Sequence, residues 1–250
     1  MNKKKQPIIA LAQIRYFENS SKDNVKKIKK YIRLAKKRNA DIVCFPESCV
    51  HKTALLHKDH KLINEIKEEC KKNKIWSIIT EDIKIKNKSY NAALLIDRDG
   101  KIKGDYRKIH LYGDKVSPGK KITVFNTDFA KIGIAICWDL AFPDLFKKMK
   151  KANAEIIFCP AQWWYDSIAH EEEHEVREMK ILQSLLSVRA FENVYFVALC
   201  NPVMDSKYQI SYSAIASPTR ILSEIVKKEG LITAKINLNK IKKLQDYYNS

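Results

Sequence analysis

Short apolar runs alternate along this chain with longer stretches in which apolar side chains recur every three or four positions. Ile8 to Ile14 reads as a buried strand, and Asn24 to Arg38 as a helix, with Val25, Ile28, Ile32, Leu34 and Ala35 at helical spacing. Asp41 to Phe45 predicts a second strand, Leu62 to Lys74 a helix and Ile75 to Ile79 a third strand. Tyr90 to Asp97 and Ile102 to Tyr106 flank the turn residues Asp97-Arg98-Asp99-Gly100, which predicts a hairpin. After a loop containing Ser117-Pro118-Gly119, the apolar run Lys131 to Ile136 leads into Cys137, and apolar spacing predicts a helix through Ala152. Glu155 to Phe158 and Val194 to Leu199 read as strands on either side of a long helical segment, His170 to Phe191. Tyr212 to Ala216, Ile221 to Val226 and Leu231 to Ile236 complete the strands before a polar C-terminal helix. Helices interleaved with strands and hairpins imply an α/β layered fold with mixed sheets.

Composition adds limits to that picture. A chain of 250 residues with 45% hydrophobic content can bury one large core, so a single domain over residues 1–250 is expected. No apolar stretch reaches the roughly 20 residues that span a bilayer. The basic start, Met1 to Pro7, leads into an apolar run too short for a signal peptide, so a cytoplasmic protein is expected. The formal charge of +18 raises the question of nucleic acid. The lysines, however, fall in pairs from Lys26-Lys27 to Lys242-Lys243, mostly on helix-like segments, where they read as solvated faces. No specific nucleic-acid partner and no membrane partner are expected.

Six cysteines are scattered without a CxxC pair, which argues against a zinc or redox motif. Cys44, Cys159 and Cys200 lie inside apolar runs, where a free thiol behaves as a small hydrophobe. Cys137 differs, because it closes a strand-like run immediately before a helix-like segment. Unpaired N–H groups at a helix start carry partial positive charge and would lower its pKa. Two charged residues also follow strand-like runs: Glu47 in FPES and Lys108 in YRKIHL. A thiol attacking a carbonyl needs a base for its proton and a positive group for the oxyanion, and Glu47 and Lys108 are of the types that supply both.

On these segments the chain resembles the nitrilase superfamily of carbon-nitrogen hydrolases. IALAQ (Ile9 to Gln13) is similar to the family's first strand, NADIVCFPE (Asn39 to Glu47) to its glutamate segment, YRKIHL (Tyr106 to Leu111) to its lysine segment, and ICWDLAFPD (Ile136 to Asp144) to its cysteine segment. VRAFENVYFVALCN (Val188 to Asn201) is similar to a later helix-strand passage. The resemblance implies a four-layer αββα sandwich, with catalytic residues Glu47, Lys108 and Cys137 and the backbone N–H of Trp138 as a second oxyanion donor. It implies no cofactor and no metal, a small-molecule amide, carbamoyl or nitrile substrate, and a homodimer or larger homo-oligomer. Many members carry a second glutamate after the lysine. Here Asp114 is the nearest match, shorter by one methylene, and is assigned with Trp138 and Trp163 to substrate binding. Members that take carboxylate-bearing amides place an arginine four residues after the nucleophile, where this chain has Ala141.

Two other readings compete with this one. His170-Glu171-Glu172-Glu173-His174 matches the zinc-protease pattern HExxH, but in a run dominated by acids, where the match is one of composition. The same acids read as a solvated helix face or as an attraction for a cationic amine. Within the hydrolase chemistry the runner-up is a nitrilase using the same three residues. A different class would be a basic nucleic-acid-binding protein on a degenerate hydrolase fold, betrayed by salt-steep RNA or DNA binding without hydrolysis.

Overall fold

The computed structural model describes residues 6–16, 20–51, 54–164, 174–204 and 208–248, with the backbone alone at 174 and 175. The first sheet contains β1 (Ile8–Gln13), β2 (Ile42–Glu47), β3 (Trp76–Ile85), β4 (Lys88–Ile96), β5 (Ile102–Arg107) and β12 (Gly230–Lys235). Its strand order is β12-β1-β2-β3-β4-β5. The second contains β6 (Val124–Asn126), β7 (Lys131–Ile134), β8 (Ile156–Pro160), β9 (Phe196–Cys200), β10 (Tyr212–Ser217) and β11 (Arg220–Val226), in the order β11-β10-β9-β8-β7-β6. Each sheet is mixed: β1, β2 and β3 are parallel, as are β7, β8 and β9, while the outer neighbours pair antiparallel.

Period-two alternation sorts β1 between two cores. Ala10 and Ala12 pack with buried residues of α1 (Ser21–Lys37) and α2 (Lys61–Asn73), among them Val25, Ile28, Ile32, Ile63 and Ile66. Ile9 and Leu11 point the other way, into a cluster shared with the second sheet. That cluster also takes Leu145, Phe146 and Met149 of α3 (Pro143–Lys151) and Leu182, Leu186 and Ala190 of α4 (His174–Asn193). The layers are therefore helices, sheet, sheet, helices, the αββα sandwich expected. The last helix, α5 (Leu238–Tyr248), anchors Leu238 and Ile241 against the same cluster.

Local chemistry explains the boundaries. The β4–β5 turn is closed by Asp97, whose Oδ1 accepts from the N–H groups of Asp99 (2.9 Å) and Lys101 (2.8 Å). Gly100 sits there at φ +74°, and a Cβ would come within 2.6 Å of the Lys67 carbonyl oxygen, so no other residue fits without backbone movement. Pro143 starts α3 at a position where its missing N–H costs nothing, and Lys148, Lys150 and Lys151 occupy its negative C-terminal end.

Three expectations change. The third strand runs to Ile85, well past Ile79, because its charged pair Glu81-Asp82 continues in register against Ala92 and Asn91 of β4. The three-residue β6 is too short to show a period in the sequence. A five-residue 3-10 helix, Cys137–Ala141, separates Cys137 from α3.

Candidate active site

Parallel central strands bring their carboxyl ends to one edge, where ligands of open α/β sheets bind. Here two such edges face each other and are stitched together by the Glu47 N–H donating to the Ala161 carbonyl across 3.2 Å. Glu47 ends β2, Lys108 follows β5 and Cys137 follows β7. Both of the tightest exits bend through the left-handed region, with Ser48 at φ +53° and Cys137 at φ +46°.

These exits surround a cavity of about 580 Å³, a size suited to a small molecule. Glu47, Lys108, Asp114, Cys137, Trp138 and Trp163 all line it. The sequence-predicted residues thus come together without exception. Lys108 is 2% exposed and places its Nζ 3.0 Å from Glu47 Oε1 and 3.0 Å from Asp114 Oδ2. Asp114 reaches it despite the shorter side chain, its Oδ2 also accepting from the Tyr112 N–H at 2.9 Å. Glu47 is fixed further by Asn91 Nδ2, which donates to Oε1 at 2.9 Å, and by the Gln162 N–H, which donates to Oε2 at 3.1 Å.

The electrostatics follow from that packing. Burial alone would push the Lys108 ammonium down, but Glu47, Cys137 and Asp114 outweigh it and hold its pKa above the ordinary lysine value. It therefore stays charged at neutral pH. Cys137 shifts the opposite way from the helix-start expectation. Burial and the neighbouring Glu47 charge push its thiol well up, against the smaller pull of Lys108 and the Gln162 N–H. A single 3-10 turn supplies too few aligned peptides to reverse this. At neutral pH the Cys137 thiol is therefore protonated.

Asp139 joins the lysine segment to the cysteine segment. It is fully buried, and its Oδ1 accepts from the His110 N–H (2.9 Å) and faces His110 Nδ1 (2.8 Å). Its Oδ2 accepts from the Tyr106 hydroxyl (2.7 Å) and the Ile136 N–H (3.0 Å). His110 stacks on Phe142 with ring centroids 3.6 Å apart. Arg189 of α4, buried, donates to the carbonyls of Leu140 (3.0 Å) and Ala141 (3.2 Å), capping the turn that carries Cys137. Trp163, whose Nε1 donates to Glu178 Oε1 at 2.8 Å, lies 5.7 Å from the Trp138 ring and forms one wall.

Asn91, Gln162, Asp82 and Asp139 were not identified as site residues from sequence. Asn91 and Asp82 form a cross-strand pair, and Gln162 acts through its backbone, so neither leaves a local motif. The polar Asn91 ahead of the apolar run Ala92 to Ile96 was the available signal. Among the described residues no group of three histidine, cysteine or acidic side chains is arranged to hold a metal ion, and no helix is long and apolar enough to cross a membrane. The HExxH segment lies outside the described residues except for the backbone of His174.

Comparison with known proteins agrees with this architecture. The carbon-nitrogen hydrolase family model matches residues 8–246. The chain is 29% identical over 235 residues to a 2-oxoglutaramate amidase of Bacillus subtilis, covering 86% of this chain and 85% of that protein. It is 30% identical over 229 residues to a deaminated glutathione amidase of Dictyostelium discoideum, covering 79% and 74%. A carbon-nitrogen hydrolase from Helicobacter pylori G27 superposes with a TM-score of 0.88 at 18% identity, covering 99% of this chain and 94% of that one. The chain belongs to the carbon-nitrogen hydrolase family.

Proposed function

We propose that the protein is a cysteine-dependent hydrolase of a small-molecule amide or N-carbamoyl amide. The observation that carries this reading is the buried Lys108 ammonium held 3.0 Å from Glu47 in the cavity that also holds Cys137. The amidase names of its relatives support the bond class.

In this reading Glu47 takes the Cys137 proton as sulfur attacks the carbonyl carbon. Lys108 and the Trp138 N–H hold the resulting oxyanion, where one well-aimed donor contributes about 10²- to 10³-fold in rate. Glu47 returns the proton to the departing nitrogen, which leaves as ammonia or amine. A thioester remains, and Glu47 then activates the water that hydrolyses it. Asp114 shares the Lys108 charge with Glu47, which keeps the ammonium aimed between them. Three side chains and one peptide N–H supply every proton and charge needed, so no cofactor enters.

The same reading takes the chain as one hydrolase domain, since both sheets contribute to one core cluster. It also takes the protein as a cytoplasmic homodimer or larger assembly, without specific nucleic-acid or membrane partners. An amide, carbamoyl and nitrile panel with ammonia release as readout tests the chemistry. Cys137→Ala is expected to lower turnover at least about 10⁴-fold with the circular dichroism spectrum unchanged. Full activity in that variant would end the proposal, and turnover confined to nitriles would reassign the substrate class.

A further inference from the structure

The protein carries a formal charge of +18, yet its cavity is acidic. Among the described residues its lining holds four carboxylates, Glu47, Asp82, Asp114 and Glu178, and one cation, Lys108. Lys108 gives two of its N–H groups to Glu47 and Asp114 and, in the hydrolase reading, the third to the oxyanion, so none is left for an anionic group at the far end of the substrate. Ala141, also in the lining, brings no charge.

Asp82 and Asn91 face each other directly across β3 and β4, which places their side chains on one face of the sheet. Asn91 is 3% exposed and its orientation is set by Glu47, toward which only the amide nitrogen can donate. That leaves Asn91 Oδ1 as a buried acceptor with no hydrogen-bond partner. Burial, together with the charges of Asp114 and Glu47, raises the Asp82 carboxyl above its ordinary value, while Lys108 pulls it down. Asn91 Oδ1 lacks a donor, and Asp82 lies among like charges that a bound cation would offset.

We infer that the non-reacting end of the substrate is a cation, an ammonium or guanidinium, held in the cavity by Asp82 with Asn91 Oδ1 beside it. The inference rests on the hydrolase reading above and adds the charge of the substrate to it. A carboxylate at that end would instead meet the like charge of Asp82 and the Asn91 Oδ1 acceptor, neither of which can donate to it. The aromatic side formed by Trp138 and Trp163 suits the apolar linker between the two ends.

Three amides of matched length test this: 5-aminopentanamide, pentanamide and glutaramate. The cationic amide is expected to exceed the neutral one about 10-fold in kcat/KM and the anionic one about 100-fold. Asp82→Asn is expected to lower the cationic-to-neutral ratio about 10-fold. Equal rates for the three, a preference for glutaramate, or an unchanged ratio in Asp82→Asn would overturn the inference. Calorimetric binding of the same three amides to Cys137→Ala gives a readout independent of turnover. Selective binding of the cation without hydrolysis by the wild-type protein would uphold the cation site and defeat the hydrolase reading. Hydrolysis with no charge preference would do the reverse.

Discussion

The two sheets are built to the same plan but carry different parts of the site. Each places one antiparallel strand, β12 or β6, beside three parallel strands and closes with two more antiparallel strands. The first sheet contributes Glu47, Lys108, Asn91 and Asp82, the second Cys137 and the Gln162 N–H. The difference lies in strand length. In the first sheet β3 and β4, ten and nine residues long, extend so that Asp82 and Asn91 reach the cavity. In the second, β7 is only four residues, and the chain turns at once into the 3-10 helix that presents the thiol. The longer strands bring the charged groups, and the short one brings the thiol. Neither half holds the Glu47 carboxyl, the Lys108 ammonium and the Cys137 thiol together.

That division can be broken most severely from the first sheet. Lys108→Met is expected to lower turnover about 10³-fold while leaving Cys137 in place, read as kcat on the best amide of the panel. A loss of less than tenfold would mean that the second half holds the oxyanion alone. Next in size is the tie between the halves. Asp139→Asn sets an amide NH₂ against groups that are themselves donors, and is expected to cost about 2–4 kcal/mol in urea unfolding. An unchanged midpoint would show that Asp139 does not fasten the lysine segment to the cysteine segment.

The finest effect is on the thiol itself. Because burial and Glu47 raise its pKa, the protonated form dominates at neutral pH, and alkylation by iodoacetamide is expected to quicken as pH rises from 7 to 9. Removing the carboxylate charge in Glu47→Gln lowers the pKa and speeds alkylation at fixed pH about tenfold. Removing the ammonium in Lys108→Met slows it by a similar factor. Shifts of the same sign in both variants would detach Cys137 from this pair.

Much of this was legible before any coordinates. Glu47, Lys108 and Cys137 each stand at the end of a strand-like run, so their convergence follows from the alternation of strands and helices together with the shared direction of those strands. Asp114 was harder to place, since only the loop through Tyr112 and Gly113 shows that a shorter acid still reaches Lys108. What stayed hidden depends on pairs distant in sequence. The charged residues Glu81 and Asp82 masked the far half of β3, because a strand that enters an active-site wall exchanges apolar alternation for chemistry. Glu81 is fully buried and accepts from the Val50 and His51 N–H groups, bracing the loop after β2 in a way no local pattern announces. Position at a helix start alone points the thiol pKa downward, whereas the Glu47 charge and the desolvation that no local pattern shows push it up.

The six cysteines lead to a practical end. Five of them have no exposed surface, whereas Cys137 keeps 8% of its own at the cavity wall. A folded chain should therefore accept one label from a small electrophile and an unfolded chain six. A single mass spectrum then counts competent sites and native molecules in the same sample.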